Sequence, residues 1–340
     1  MNKDLLFPNN GIFRTIFLYV GQGETTLLII PDGDKHKYIL VDLNIDLENN
    51  GKNIKSLLND IGRNNLIFIN THPHNDHTRG LKEISDIIKE VWHSGHKPGK
   101  KNEVSFKELE EIIKKVGEKN VFYLRGSNDS NILYTDRDET SKIVKKIGDI
   151  DFQVFSPAKY VCEDIDNETP EERIERIHEQ CGVIKFIYKG KSILITGDSN
   201  KIAWKNYITN YYKDNLKSDI LSAPHHGSRS FFKNKEDDTD VYKDHIKKIN
   251  PEYLIISAPK QKDSPHNHPH DDALEIYEKY IKKENIYHLG KDEKSMILDI
   301  DKNGKIDIYK NDSNLTLKNN IPTIIYETRS KFKPYNPYAD

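Results

Sequence analysis

The chain has 340 residues, and its charge is nearly balanced, with 52 Lys and Arg against 54 Asp and Glu. This balance excludes binding to nucleic acid or to an anionic membrane through overall charge alone, so a polyanionic substrate must be held locally. Hydrophobic residues make up 35% of the chain, without an apolar leader or an apolar run of about 18 residues, and we therefore predict a cytoplasmic protein that does not associate with membranes.

The N-terminal region predicts a meander of β-strands joined by tight turns. Apolar and β-branched residues form runs at 13–20, 25–30 and 38–42, and a Pro31-Asp32-Gly33 turn separates the last two.

A buried strand is predicted next, at residues 66–69, from a short continuous apolar run. Apolar periodicity then predicts helices at 81–91 and 105–116, the second ending before Gly117.

Strands and helices alternate through the rest of the chain. The predicted strands are at residues 120–123, 150–155, 183–188, 192–196, 220–223, 253–257, 286–289, 296–300 and 305–309. The predicted helices are at residues 139–147, 201–212, 241–249 and 271–283. Two sets of strands, with helices between and outside them, predict an α/β (α+β) protein built as a four-layer αββα sandwich.

Two segments are predicted as additions to this sandwich. Residues 161–180 are acidic, and Thr169-Pro170 predicts the cap and first position of a short helix. From residue 311 the chain is rich in Asn and Pro. We therefore predict one domain at residues 1–310 and a C-terminal extension at 311–340, with a possible edge strand at 323–326 and a loose tail.

The most informative segment is Thr71-His72-Pro73-His74-Asn75-Asp76-His77, which follows a predicted strand and so lies on a loop. Imidazole and carboxylate ligands at this density suit zinc, with manganese or iron as alternatives. Four ligands so close in sequence do not converge on one ion while leaving room for a substrate, so we predict two neighbouring divalent ions. The alternative is a solvated loop that is rich in histidine.

A site with two ions needs further ligands, including an oxygen that bridges both ions. Asp198 follows the strand predicted at 192–196 and the flexible Gly197, which makes it the candidate bridge. An all-cysteine zinc site is excluded, because Cys162 and Cys181 are the only cysteines.

Three more histidines lie next to predicted strands. His225 and His226 follow the strand at 220–223, and one of the pair is a candidate ligand. His178 precedes the strand at 183–188 and is either a third nitrogen ligand or a capping, exposed histidine.

These motifs resemble those of metallo-β-lactamase-fold hydrolases. The family's His-x-His-x-Asp-His hallmark reads here as His72, His74, Asp76 and His77, and its later Thr-Gly-Asp motif falls on Asp198. Within that superfamily the chain is most similar to the hydrolase domain of bacterial DNA-uptake competence proteins of the ComEC type. The segments that carry this closer resemblance are Tyr19-Val20-Gly21-Gln22-Gly23-Glu24, His225-His226-Gly227-Ser228 and Asn267-His268-Pro269. Because no membrane channel accompanies them, we expect a stand-alone relative for which DNA import is not implied.

The resemblance implies a role for each residue. It implies that His72, His74 and His178 hold the first ion, that Asp76, His77 and His226 hold the second, and that Asp198 bridges them. It further implies that His225 acts in catalysis with Asp76 and Asp198, and that Ser228 and His268 lie at the substrate or the rim.

The activity that the resemblance implies is hydrolysis of a phosphodiester, such as DNA, RNA or a small nucleotide. Three alternatives remain open: hydrolysis of a lactam, lactone or thioester; redox chemistry with iron and a thiol; and a metal-stabilised binding module without catalysis. The sequence does not identify a protein partner.

Overall fold

The computed structural model describes residues 5–45, 51–97, 103–162 and 167–310. In these residues the strands are, in chain order, β1 (Phe13–Phe17), β2 (Thr26–Asp32), β3 (Lys35–Val41), β4 (Leu43–Asn44), β5 (Leu66–Asn70), β6 (Ile88–His93), β7 (Val121–Tyr123), β8 (Ile132–Tyr134), β9 (Lys142–Val144), β10 (Asp151–Ser156), β11 (Val183–Tyr188), β12 (Lys191–Ile195), β13 (Ile220–Ser222), β14 (Tyr253–Ile256), β15 (Ile286–His288), β16 (Met296–Ile300) and β17 (Ile306–Lys310).

The helices of the same ranges are α1 (Gly51–Asn59), α2 (Asn75–Thr78), α3 (Glu103–Val116), α4 (Lys159–Cys162), α5 (Pro170–Arg176), α6 (Lys201–Ala203), α7 (Thr209–Tyr212), α8 (Asp244–Ile249), α9 (Asp271–Tyr277) and α10 (Leu289–Asp292). A π-helical turn, Trp204–Ile208, joins α6 to α7. None of the helices in the described ranges has the length and apolarity that crossing a lipid bilayer requires. The extension predicted at 311–340, with its edge strand at 323–326, lies outside the described residues.

The described strands form two mixed sheets. The larger has ten strands in the order β17-β16-β1-β2-β3-β5-β6-β7-β8-β9, and the smaller has six in the order β10-β11-β12-β13-β14-β15. Strand β1 pairs with β16, with Phe13 opposite Ile300, so the last described strands complete the sheet that the first strand begins. In each sheet a run of neighbouring strands is parallel, β3-β5-β6-β7 in one and β12-β13-β14-β15 in the other.

Hydrophobic side chains fill three interfaces and so define four layers. Along β5, Ile67 and Ile69 face the smaller sheet, whereas Leu66 and Phe68 face α1 and α3, because successive side chains of a strand point to opposite faces. A third cluster packs the helices from α6 to α9 against the outer face of the smaller sheet. The predicted four-layer αββα sandwich is therefore confirmed.

Two predicted helices are wrong. Residues 81–91 form a short 3₁₀ turn, Leu81–Ile84, followed by strand β6, which pairs in parallel with β5. Both faces of β6 are buried, so its apolar residues do not show the strict alternation of a half-exposed strand. Residues 139–147 contain the edge strand β9 instead of a helix, because pairing with β8 supplies its backbone partners.

Parallel strands place their carboxyl ends at one edge of a sheet, where ligands commonly bind. The histidine loop follows β5, Asp198 follows β12, and the paired histidines follow β13. These three segments meet at one edge of the sandwich.

Candidate metal centre

The histidine loop begins directly after β5 and is held by hydrogen bonds to its backbone. The side chain of Asn70 donates from Nδ2 to His72 O at 2.7 Å, and the Thr71 N–H donates to Asp42 Oδ1 at 2.8 Å. Helix α2 then begins at Asn75. The strand end and the short helix therefore set the directions of the loop side chains.

Two sets of metal-ligating side chains meet at this edge, each with its donor atoms within 4.8 Å of one another. The first set is His72, His74, His178 and Asp198, and the second is Asp76, His77, Asp198 and His226. Every residue predicted as a metal ligand belongs to at least one set. Asp198 belongs to both.

Asp198 divides its two carboxylate oxygens between the sets. Oδ2 lies 3.5 Å from His72 Nε2 and 4.0 Å from His178 Nε2. Oδ1 lies 3.2 Å from His77 Nε2 and 3.5 Å from His226 Nε2. A carboxylate in this position can serve as the shared oxygen ligand of a two-ion site.

Hydrogen bonds behind the second set determine which ring nitrogens carry protons. His77 Nδ1 lies 2.7 Å from Asp42 Oδ2, and His226 Nδ1 lies 2.8 Å from Ser257 O; carboxylate and carbonyl oxygens only accept hydrogen bonds. In the neutral rings both Nε2 atoms therefore present lone pairs, and these atoms lie 3.3 Å apart. Lone pairs that converge beside a carboxylate fit a divalent cation.

The first set fits a cation for a similar reason. His72 Nε2 and His74 Nδ1 lie 3.0 Å apart. His178 Nε2 is buried and has no hydrogen-bond partner among the described residues. A buried polar atom without a partner costs free energy, which coordination to an ion would remove.

The electrostatics of the first set favour the protonation states that bind metal. Burial, with repulsion from His178, lowers the pKa of His74 to about 4. Burial would raise the pKa of Asp198, but the surrounding histidines, His225 first among them, hold it well below its usual range. A neutral imidazole and an ionised carboxylate are the forms that coordinate a cation. In the second set, burial would lower the pKa of His77 and of His226, but Asp198 and the neighbouring carboxylates raise both.

Asp198 reaches the centre through a tight turn at Gly197. This glycine has a φ of +47°, and a Cβ on it would lie 2.6 Å from both Cys181 Sγ and Thr71 Oγ1. The turn therefore passes directly behind the histidine loop, and both its backbone conformation and the lack of space require glycine.

The residue pattern left open which histidine of the pair after β13 is a ligand, and the resemblance implied His226. His225 and His226 have left-handed backbone conformations, with φ of 51° and 57°, that non-glycine residues rarely adopt. His226 points into the second set, whereas His225 Nε2 lies 3.6 Å from Asp198 Oδ2 and its Nδ1 lies 3.0 Å from Ser230 Oγ. The strained turn thus separates one inner ligand from one residue beside the shared carboxylate.

The acidic segment, residues 161–180, positions His178. Thr169 caps α5 as predicted, with its hydroxyl accepting from the Glu172 N–H at 3.2 Å while the Glu172 carboxylate accepts from the Thr169 N–H at 2.7 Å. Beyond the helix, Gln180 Nε2 donates to Val161 O at 2.9 Å and anchors the segment. The side chain of His178 is 21% exposed and lies in the first set, not on the protein surface as the capping alternative required.

The two residues predicted at the rim lie outside both sets. The Ser228 hydroxyl accepts from the Ser230 N–H at 3.2 Å, which is the bond of a turn-capping serine. His268 is 3% exposed, with its ring 5.2 Å from that of His225. His268 is therefore buried beside His225, and its contact with a substrate stays a prediction.

Sequence reasoning missed the residues that orient the ligands. Asp42 and Ser257 hold His77 and His226 from behind, and Glu24 approaches Asp42 and His77 closely enough to form a third acidic group. Asp42 directly follows β3 and has a positive φ of 55°. A carboxylate directly after a buried strand was the signal that could have identified it.

The sequence matches no protein-family model and no curated protein. Among solved structures it is similar to the metallo-beta-lactamase fold protein YhfI from Bacillus subtilis, with 10% identity and a TM-score of 0.42 over 81% of this chain and 95% of that one. It is also similar to Zn(2+)-bound PqqB from Methylobacterium extorquens, with 9% identity and a TM-score of 0.42 over 81% and 97% of the two chains. The CmlA beta-hydroxylase E377D mutant is similar as well, with 12% identity and a TM-score of 0.44 over 83% of this chain and 53% of that one.

Proposed function

We propose that the protein is a two-metal hydrolase that cleaves phosphodiesters, as a phosphodiesterase or a nuclease. The observation that carries this proposal is the position of Asp198, which offers one carboxylate oxygen to each of two sets of ligands. Zinc suits the nitrogen-rich first set, and manganese or iron are the alternatives.

The proposed ligands divide as the sequence implied. His72, His74 and His178 would hold one ion, Asp76, His77 and His226 the other, and Asp198 both. Bound ions would supply Lewis-acid activation of water and stabilisation of charge on the scissile group.

His225 acts on the substrate in this proposal. Burial lowers the pKa of His225 well below its usual range, so the ring is neutral and stabilises the leaving oxygen as a hydrogen-bond donor. Ser230, through its contact with Nδ1, holds the ring in place. The side chain of Asp76 is 26% exposed, so the second set is open to a substrate.

The substrate class depends on the sequence resemblance to ComEC-type hydrolases, in particular on His225-His226-Gly227-Ser228. DNA, RNA and small nucleotides all contain the proposed scissile bond. The net charge of −2 means that recognition must occur at the site and its surroundings. A cytoplasmic location stays a prediction.

The test is hydrolysis of bis(p-nitrophenyl) phosphate by protein stripped of metal and refilled with zinc or manganese. Asp198→Ala removes the shared ligand, and Asp60→Ala is the matched control, since Asp60 is exposed after α1. We expect turnover that requires both metal and Asp198 and that the control retains. Turnover of a chromogenic β-lactam or a thioester instead of the phosphodiester would replace the proposed reaction, and metal binding without any turnover would favour the binding module.

A further inference from the structure

A group of tyrosines contacts the segment that carries the proposed ligand His178. Tyr207 donates from its hydroxyl to Glu179 Oε2 at 3.2 Å, and Glu179 directly follows His178 in the chain. The rings of Tyr160 and Tyr207 meet edge to face, with centroids 5.4 Å apart and an interplanar angle of 76°. These contacts connect the exposed Tyr160 to the segment that carries a metal ligand.

Tyr211 extends this group along the helix. Tyr207 and Tyr211 are four positions apart on the continuous helical segment formed by the π-helical turn and α7, where such residues are surface neighbours. Tyr160 is 59% exposed and Tyr211 is 63% exposed. Beneath them, the buried Tyr212 packs edge to face against Tyr211 and Phe155, at 4.8 Å in each case. The exposed ring of Tyr211 is thus supported from below, and the rings of both Tyr160 and Tyr211 remain open to solvent.

Two lysines border the exposed rings, together with the acidic Glu179 and Asp214. Lys159 directly precedes Tyr160, Lys213 lies two positions after Tyr211, and both lysines are exposed. Aromatic rings interleaved with cationic side chains bind single-stranded nucleic acid, because the bases stack on the rings while the cations neutralise phosphates. Such a ligand matches the exposed rings and the two lysines.

We propose that Tyr160, Tyr207 and Tyr211 form a surface, here named the tyrosine surface, on which unpaired bases of a single-stranded nucleic acid stack while its backbone crosses the metal centre. This inference rests on the proposed phosphodiester hydrolysis and specifies its substrate. Stacking uses the π face that every base has, so we expect little preference for sequence.

The test is equilibrium binding of a fluorescent single strand of about ten thymidylates, a length within the usual site size of such proteins. The full-length protein is used without metal, in the presence of a chelator, so that no cleavage occurs. An abasic strand of equal length has the same phosphates without bases. The variants are Tyr160→Ala and Tyr211→Ala, each beside its phenylalanine counterpart, which keeps the ring. Phe7→Ala is the matched control, because Phe7 is 52% exposed and contacts His36 near the start of β3, at the opposite end of that strand from the centre.

We expect the wild type to prefer thymidylate over the abasic strand, and each alanine variant to lose about tenfold in affinity for thymidylate, as alanine substitution at a stacked position does. The phenylalanine variants and Phe7→Ala should bind as the wild type does. Equal affinity for the two strands, or alanine variants that bind normally, would overturn the inference. Hydrolysis is scored separately: base-dependent binding without phosphodiester turnover rejects the proposed reaction, whereas turnover without base-dependent binding rejects only the tyrosine surface.

Discussion

The carboxylate of Asp42 is hydrogen-bonded to the imidazole of His77, with 2.7 Å between Oδ2 and Nδ1, and both side chains are fully buried. The same Oδ2 accepts from the Thr71 hydroxyl at 2.6 Å. One carboxylate at the end of β3 therefore orients a ligand and holds the start of the histidine loop. A carboxylate behind a metal-bound histidine fixes its tautomer and raises its basicity.

We expect Asp42→Asn to weaken metal binding at the second set by about 10- to 100-fold, the usual effect of removing such a partner. Asparagine keeps the size of the side chain and tolerates the positive φ of this position, so the fold should remain. Competition with a chromogenic chelator measures the affinity, and Asp60→Asn serves as an exposed control. Unchanged affinity in Asp42→Asn would contradict the orienting role.

Gly197→Ala should destabilise the protein and reduce its metal content. The added Cβ would meet Cys181 Sγ and Thr71 Oγ1 at 2.6 Å, in addition to the strain of a positive φ, which alone costs about 1–3 kcal/mol. Gly33→Ala is the matched control, because Gly33 has a φ of +62° but no atom within 4 Å of the added Cβ. Urea unfolding and metal analysis are carried out on both variants. The difference between them separates the effect of the steric clash from that of the backbone strain. Equal losses in the two variants would show that space behind the histidine loop is not limiting.

His225→Gln should lower kcat while leaving the metal content at its wild-type value. The His225 ring lies outside both ligand sets but faces Asp198, so its loss removes stabilisation of the leaving oxygen, worth about 100- to 1000-fold. His226→Gln, by contrast, should lose metal as well as activity, because His226 belongs to the second set. Loss of metal from His225→Gln would instead make it a ligand.

The metal-free protein should become less stable as the pH falls, because His245 is buried as a neutral ring. Burial lowers the pKa of this imidazole to about 3, and the neutral ring bonds to Phe231 O and to the Ile246 N–H at 2.8 Å each. The unfolded chain takes up a proton below about pH 6.5, its ordinary pKa, but the folded chain does not. The contribution of His245 to the free energy of unfolding is therefore fully present above that pH. It decreases as the pH falls toward about 3, by up to about 1.4 kcal/mol per pH unit.

Urea unfolding across this range, with a chelator present so that loss of metal does not contribute, measures the effect. His245→Gln cannot titrate, so its free energy of unfolding should depend less steeply on pH than that of the wild type. Parallel pH profiles for the two proteins would rule out His245 as a source of acid sensitivity.

Sequence periodicity predicted the elements whose hydrophobic pattern matches their burial. It failed for strands that form because of their pairing with neighbouring strands. The apolar run of β5 and the periodicity of α3 were both identified correctly. Strand β6 was taken for a helix, because a strand buried on both faces by its neighbours carries no alternation to reveal it. Strand β9 forms because it pairs with β8. The two strands lie close in the chain, but no sequence pattern predicts that they pair.

The sequence by itself determined the chemistry of the candidate ligands, because imidazole and carboxylate groups placed directly after strands are visible in the order of residues. Only the tertiary structure decided that Asp198 offers one oxygen to each set, that His225 lies outside both sets beside Asp198, and that Asp42 orients His77. It also brought Tyr160 against Tyr207, which lie far apart in the chain. These relationships join segments from two different sheets or distant loops, and the distances between such segments depend on how the layers pack, which no local pattern records.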